Sequence, residues 1–219
     1  MSRPAKLNSI NAVMAVALRE TFPRFDASTD KVAVSRDGGE RASTSGADLV
    51  DPSLGGSGYV PNIGVTVRKP YICSISGWFI GVGLAILQQA DLVVATVTAR
   101  FRYPEPDLGI TRGLMASLVS RIPHKIVVEL VLAGNDMDAP TLHRYGLLNA
   151  VTTNEELMPT AMALAARIAG HDGGLNVFLK ECIDQSLPKG PGEIAERTRW
   201  LGNQLPGNQV RLERARLRS

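Results

Sequence analysis

The chain has 219 residues, 44% hydrophobic and 21% charged, enough for one domain with a substantial core. No apolar run nears the roughly 20 residues of a membrane helix, and the start "MSRPAKLNSI" is not signal-like, so a cytoplasmic protein is expected. Two distant cysteines in apolar settings, Cys73 and Cys182, and three scattered histidines argue against a disulfide framework or a metal site. The net charge of +3 is concentrated in the final "VRLERARLRS", which reads as a solvated tail, with an anion or nucleic-acid patch as the alternative.

In chain order, "NAVMAVALRETFPRFD" has the 3.6-residue period of a helix, with Asn8 or Ser9 as its cap. "KVAVS" is a short strand, and "RDGGERASTSGADL" a glycine- and serine-rich loop. Residues 50–68, rich in Gly, Pro and Ser, form a long loop. "KPYICSI" and "DLVVAT" have the continuous apolar character of strands buried on both faces, and "GLAILQQA" between them is a short helix. "ARFRYPEPDLGI" is a strand and turn in which prolines flank Glu105. From Leu114 the pattern is helical: "LMASLVSRI", "HKIVVELVLAG", "APTLHRYGLL", "NEELMPTAMALAARIAG", "LNVFLKECIDQSL" and "GEIAERTRWLGNQL". No fixed-period repeat is present, and the strand–helix–strand order indicates an α/β protein.

The chemistry concentrates in "SGWFIGVGLAILQQADLVVA". Strand, glycine turn, helix and strand is the dinucleotide-binding order, but Ile86 stands where a third glycine is needed and the next strand ends without an acid. The junction suits an oxyanion better. A helix start offers unpaired N–H groups, and the loop "STSGADL" can supply a second donor from another strand end.

Five segments in order resemble the crotonase family of enoyl-CoA hydratases and isomerases: "RPAKLNSIN", "ERASTSGADL", "KPYICSISGWFIGVGLAILQQADLVVAT", "ARFRYPEPDLGI" and "LAGNDMDAPTLHRYGLLNAV". The resemblance implies a spiral of ββα units over residues 1–170 and a helical C-terminal trimerisation region over 171–219. It implies homotrimers or hexamers. The substrate would be a coenzyme A thioester, with no permanently bound cofactor, no metal and no membrane; nucleic acid is not expected as a partner. By position, the N–H groups of Ser45 and Val82 would hold the thioester oxygen, and Ser45, Gly46, Ala47 and Asp48 would line the CoA site. Gly81, Gly83, Ala85, Asp107 and Gly113 would shape the pocket, and Glu105 would be the catalytic base.

The chain departs from that family at informative places. A hydratase holds water between two glutamates, and Ala85 stands where the first belongs. Asp107 would reach the face of Glu105 only if the segment were extended. Val82 replaces a glycine, Ser43 and Thr44 are unusually polar, Arg112 replaces a proline, and the loop after Asp48 is short. The chain also begins where that family's first strand has already ended, and its final segment lacks the family's CoA-binding aromatic and lysine. A single carboxylate suits proton shuttling of the isomerase type. Hydration at an atypical site, decarboxylation, C–C cleavage, non-catalytic acyl-CoA binding and RNA binding through residues 210–219 are the alternatives.

Overall fold

A computed structural model describes residues 2–39, 41–50, 57–110 and 113–203. Its strands form two four-stranded sheets. One holds β1 (Ala33–Ser35), β3 (Tyr71–Ile75), β5 (Leu92–Thr96) and β8 (Ala150–Thr152), in the order β1-β3-β5-β8 and parallel throughout. The other holds β2 (Ala42–Thr44), β4 (Trp78–Ile80), β6 (Arg100–Arg102) and β7 (Met137–Asp138), in that order and parallel except for β6 with β7.

Three of the four strands of the first sheet run on into a strand of the second: β1 into β2, β3 into β4, β5 into β6. Repeating that step winds the chain into the expected ββα spiral. Gly77, at φ +60°, makes the turn from β3 to β4, a conformation that L side chains rarely adopt. The sequence reading missed β2 and β4. Each has three residues, too few for a period to emerge from the surrounding Gly and Ser, and pairing with neighbours alone defines them.

Burial follows from this winding. All five residues of β3 are buried, as a parallel strand covered on both faces requires. On one side Ile72 and Val94 meet Leu157, Ala161 and Ala165, one stripe of α5 (Asn154–Ala169). On the other lies the main core, with Ile75, Phe79, Leu84, Phe101, Leu118 and Leu142. The first helix, α1 (Ala12–Ala27), is capped by Asn11, whose side chain accepts from Met14 N, in place of the expected Asn8 or Ser9. Within the long loop, Tyr59, Val60, Ile63, Val65 and Val67 are buried, so residues 57–68 belong to the core. "LMASLVSRI" contains a 3₁₀ helix over Ala116–Ser120, followed by α3 (His124–Val131) and α4 (Ala139–Arg144).

The C-terminal helices are fastened to either side of the end of α2 (Val82–Gln88). From α6 (Gly173–Ser186), the buried Lys180 Nζ lies 2.5 Å from Asp91 Oδ1 and 3.2 Å from Asp184 Oδ2. From α7 (Pro191–Asn203), the Glu193 carboxylate accepts from Gln89 Nε2 at 2.9 Å and Gln88 Nε2 at 3.3 Å. The arginine-rich segment 210–219 and Arg112 lie outside the described residues. Among the described residues, no helix is long and apolar enough to cross a membrane.

Candidate active site

The glycine junction begins where β4 ends. Gly81 N donates to Arg102 O of β6 at 3.0 Å, and Gly81 turns the chain at φ +60° into α2. Val82 is the first residue of that helix, and its N–H donates to no partner among the described residues. Gly83 has no room for a side chain: a Cβ there would lie 2.7 Å from Thr44 Cγ2 and 3.1 Å from Phe79 Cε1. Close packing of β2, β4 and α2 therefore demands this glycine, and flexibility has nothing to do with it.

The loop after β2 lies directly against this turn. A Cβ on Gly46 would lie 3.1 Å from Ile80 O and 3.7 Å from Gly81 Cα, and Gly46 itself adopts φ +90°. Three of the amides of Ser45–Asp48 are engaged. Ser45 N donates to Leu7 O at 2.9 Å, Gly46 N to Thr44 Oγ1 at 3.1 Å, and Asp48 N to Ile10 O at 3.0 Å. The expectation for Ser45 is thus corrected: its N–H faces the N-terminal stretch and is already satisfied. Within Ser45–Asp48, Ala47 is the residue whose N–H meets no described partner, and it is exposed. Its neighbours bond Ile10 through Gly46 O and Asp48 N, so its own amide points away from the Ile10 edge. Sequence reasoning missed this because the positive φ of Gly46 decides which amide faces the site.

Glu105 completes the group. It follows β6, held in a turn in which Leu108 N, Gly109 N and Ile110 N donate to the carbonyls of Pro104, Pro106 and Glu105. A Cβ on Gly81 would lie 3.1 Å from Glu105 Oε1, so the missing side chain is what lets the carboxyl approach the junction. Glu105 Oε2 is buried and has no hydrogen-bond partner among the described residues. Burial pushes this carboxyl up to about 7, the effect expected where the charged form loses water and gains no counter-charge. A buried acid that titrates near neutrality can both take and return a proton.

The remaining expected residues divide. Ala85 is 1% exposed on α2, one turn beyond Val82, and its methyl carries no proton. Asp107 is corrected: its side chain is 59% exposed and pairs outward with Arg102 Nη2 at 3.0 Å, so the turn carries it away from the buried face. Gly113 faces the start of α7. At φ +68° its nearest neighbour is Gly192 Cα at the start of α7, 3.5 Å from where a Cβ would stand. Asp48 is bound within the protein, 3.0 Å from Arg3 Nη1 and 3.2 Å from Ser9 Oγ, and the Arg3 bond holds its carboxyl below the usual range.

Residues 62–197 match the family described as enoyl-CoA hydratase/isomerase. The chain is 31% identical over 201 residues to a probable enoyl-CoA hydratase of Rhizobium meliloti, covering 85% of this chain and 77% of that one. It is 34% identical to the carnitinyl-CoA dehydratase of Proteus mirabilis, over 77% of this chain and 69% of the relative. Among solved structures, an enoyl-CoA hydratase of Mycobacterium marinum superposes with a TM-score of 0.78 at 26% identity, over 92% of this chain and 83% of that one. With its spiral of ββα units and an acid beside the glycine junction, the chain belongs to the enoyl-CoA hydratase/isomerase family.

Proposed function

We propose that this enzyme moves a proton within an enoyl-CoA thioester, with Glu105 as its only acid–base group, as in conversion of a 3-enoyl to a 2-enoyl thioester. One observation carries the reading: the half-buried Glu105 sets a buried, unpartnered Oε2 beside Gly81, and the helix position that would supply a second acid is Ala85. The thioester carbonyl would accept from Val82 N–H and Ala47 N–H, an assignment that replaces Ser45 by Ala47. Two such donors stabilise the enolate oxygen that forms when the α-proton leaves, each by roughly 3 kcal/mol. Glu105 would remove the α-proton and return it at the γ-carbon, or the reverse, so no water need be held. CoA is substrate here. Gly46, Ala47 and Asp48 are proposed to line its site, with Gly81 letting the backbone approach.

The test is incubation of the protein with 3-hexenoyl-CoA and, separately, with crotonyl-CoA. Formation of the conjugated 2-enoyl thioester at a rate well above hydration of crotonyl-CoA is expected. Hydration as the dominant activity would overturn the reading. The names of the relatives favour this second reading, hydration or dehydration with a water held by some other group, and the same assay decides it. Assembly into trimers or hexamers is also proposed, supported by Leu175, Phe178, Leu179 and Ile183 exposed along α6.

A further inference from the structure

We propose that Thr44 is a positioning residue that joins the two halves of the amide pair, its hydroxyl setting the Ala47 side and its methyl setting the Val82 side. This deepens, and rests on, the reading of those amides as a thioester-carbonyl clamp. Thr44 ends β2 and is fully buried. Its Oγ1 donates to Asn8 O at 2.9 Å and accepts from Gly46 N at 3.1 Å, both bonds being buried.

The acceptance from Gly46 N matters most. It closes a tight side-chain turn over Ser45 and holds Gly46 at φ +90°, the angle that turns Ala47's amide away from the Ile10 edge. The donation to Asn8 O fixes the hydroxyl itself to an immobile base. Asn8 is wholly buried, and its Nδ2 donates to Ala42 O at 2.8 Å and Gly38 O at 3.1 Å, on either side of the loop into β2. On its other side the Thr44 methyl occupies the space where Gly83 lacks a side chain, 2.7 Å from an added Cβ, in the first turn of α2. Phe79, the other neighbour of Gly83, belongs to β4 itself. One threonine thus uses both branches of its Cβ, a polar one toward the first donor and an apolar one toward the second. Serine would keep only the first link, and valine only the second.

Misplacing a catalytic group by about 1 Å can cost about 10²-fold in rate. Thr44→Val should therefore lower kcat on 3-hexenoyl-CoA about 10²-fold with KM changed less than about threefold, because most thioester contacts lie elsewhere. Thr44→Ser should stay within about tenfold of the parent, since both hydroxyl bonds persist. A spectroscopic readout separates the two layers of the argument. A cinnamoyl-CoA bearing a para-dimethylamino group absorbs at longer wavelength when its carbonyl is polarised by hydrogen bonds. The parent protein should bind it with a red shift, Thr44→Ser, which keeps both hydroxyl bonds but loses the methyl contact at Gly83, should retain only part of that shift, and Thr44→Val should bind it with most of the shift lost. Binding by the parent without any red shift would overturn the clamp itself, and with it the role given to Thr44. A full shift and full kcat in Thr44→Val would overturn the Thr44 assignment and leave the clamp standing. If Thr44→Val does not fold, Thr44→Ser decides alone: a reduced shift there supports the methyl link, and an unchanged shift overturns it.

Discussion

Helix α2 has a half-buried carboxyl at each end, and the two are treated in opposite ways. At its start Glu105 lies against Gly81 with Oε2 unpartnered among the described residues, and burial, opposed only by a backbone hydrogen bond, raises its titration to about 7. Just past its end Asp91 is also pushed up by burial, but Lys180 pulls it back from 2.5 Å and Tyr71 N donates to its other oxygen at 2.8 Å. A buried acid with its lone pairs and charge satisfied belongs to the architecture; here it pins α6 to the core. A buried acid left without partners costs stability, and a fold retains it where the chemistry uses the unsatisfied oxygen.

The contrast can be broken most directly at Glu105. Glu105→Gln keeps the shape and removes the base, and turnover of 3-hexenoyl-CoA should fall by about 10²–10⁴-fold while thioester affinity stays nearly unchanged. Steady-state kinetics with equilibrium binding of a non-reacting thioester measures both. Undiminished turnover would show that the unpartnered oxygen does no chemistry.

At the other end the expectation reverses. Lys180→Met strips a buried partner from Asp91 and Asp184 and should cost about 3 kcal/mol of stability, since breaking such a pair leaves charge uncompensated. Thermal denaturation should show a midpoint lower by roughly 6–12 °C, with kcat in the remaining folded protein within about threefold of the parent. A large loss of kcat without loss of stability would mean that both ends of the helix serve the reaction.

Ala85 sharpens the comparison from within the site. Ala85→Glu places a second carboxyl one helical turn from Val82, and hydration of crotonyl-CoA should rise by more than about tenfold as water gains a second holder. A parent hydration rate within tenfold of the variant would mean that another group already holds the water.

The smallest effect is the pH dependence of Glu105 itself. As a base it must be ionised, so kcat/KM should rise with pH through about 7. Stability runs the other way. Between the ordinary carboxylate range and about 7 the folded protein holds a proton that the unfolded chain has lost, so stability falls as pH rises across that window. Glu105→Gln removes this slope and should be more stable than the parent above pH 7 by about 1 kcal/mol, discounted for partial solvent screening. Chemical denaturation at two pH values checks it; equal slopes for the two proteins would refute the burial account of the acid.

The amino-acid sequence by itself carried the α/β class, the long helices, the two central strands and the junction at Gly81 to Gly83. Those features rest on local periodicity and on glycine's steric freedom, both written into neighbouring residues. It also placed Glu105 and Ala85 through resemblance at matching positions. Tertiary structure alone decided the rest. Strands β2 and β4, three residues each, exist only by pairing. Asp107 and Glu105, two residues apart, part company because a turn intervenes, sending one to solvent and the other into the protein. The choice between Ser45 and Ala47 hangs on the left-handed angle of Gly46, fixed by a threonine hydroxyl and by carbonyls from residues 7–10. An amide's direction is a property of backbone torsions set by distant partners, and no composition or spacing encodes it.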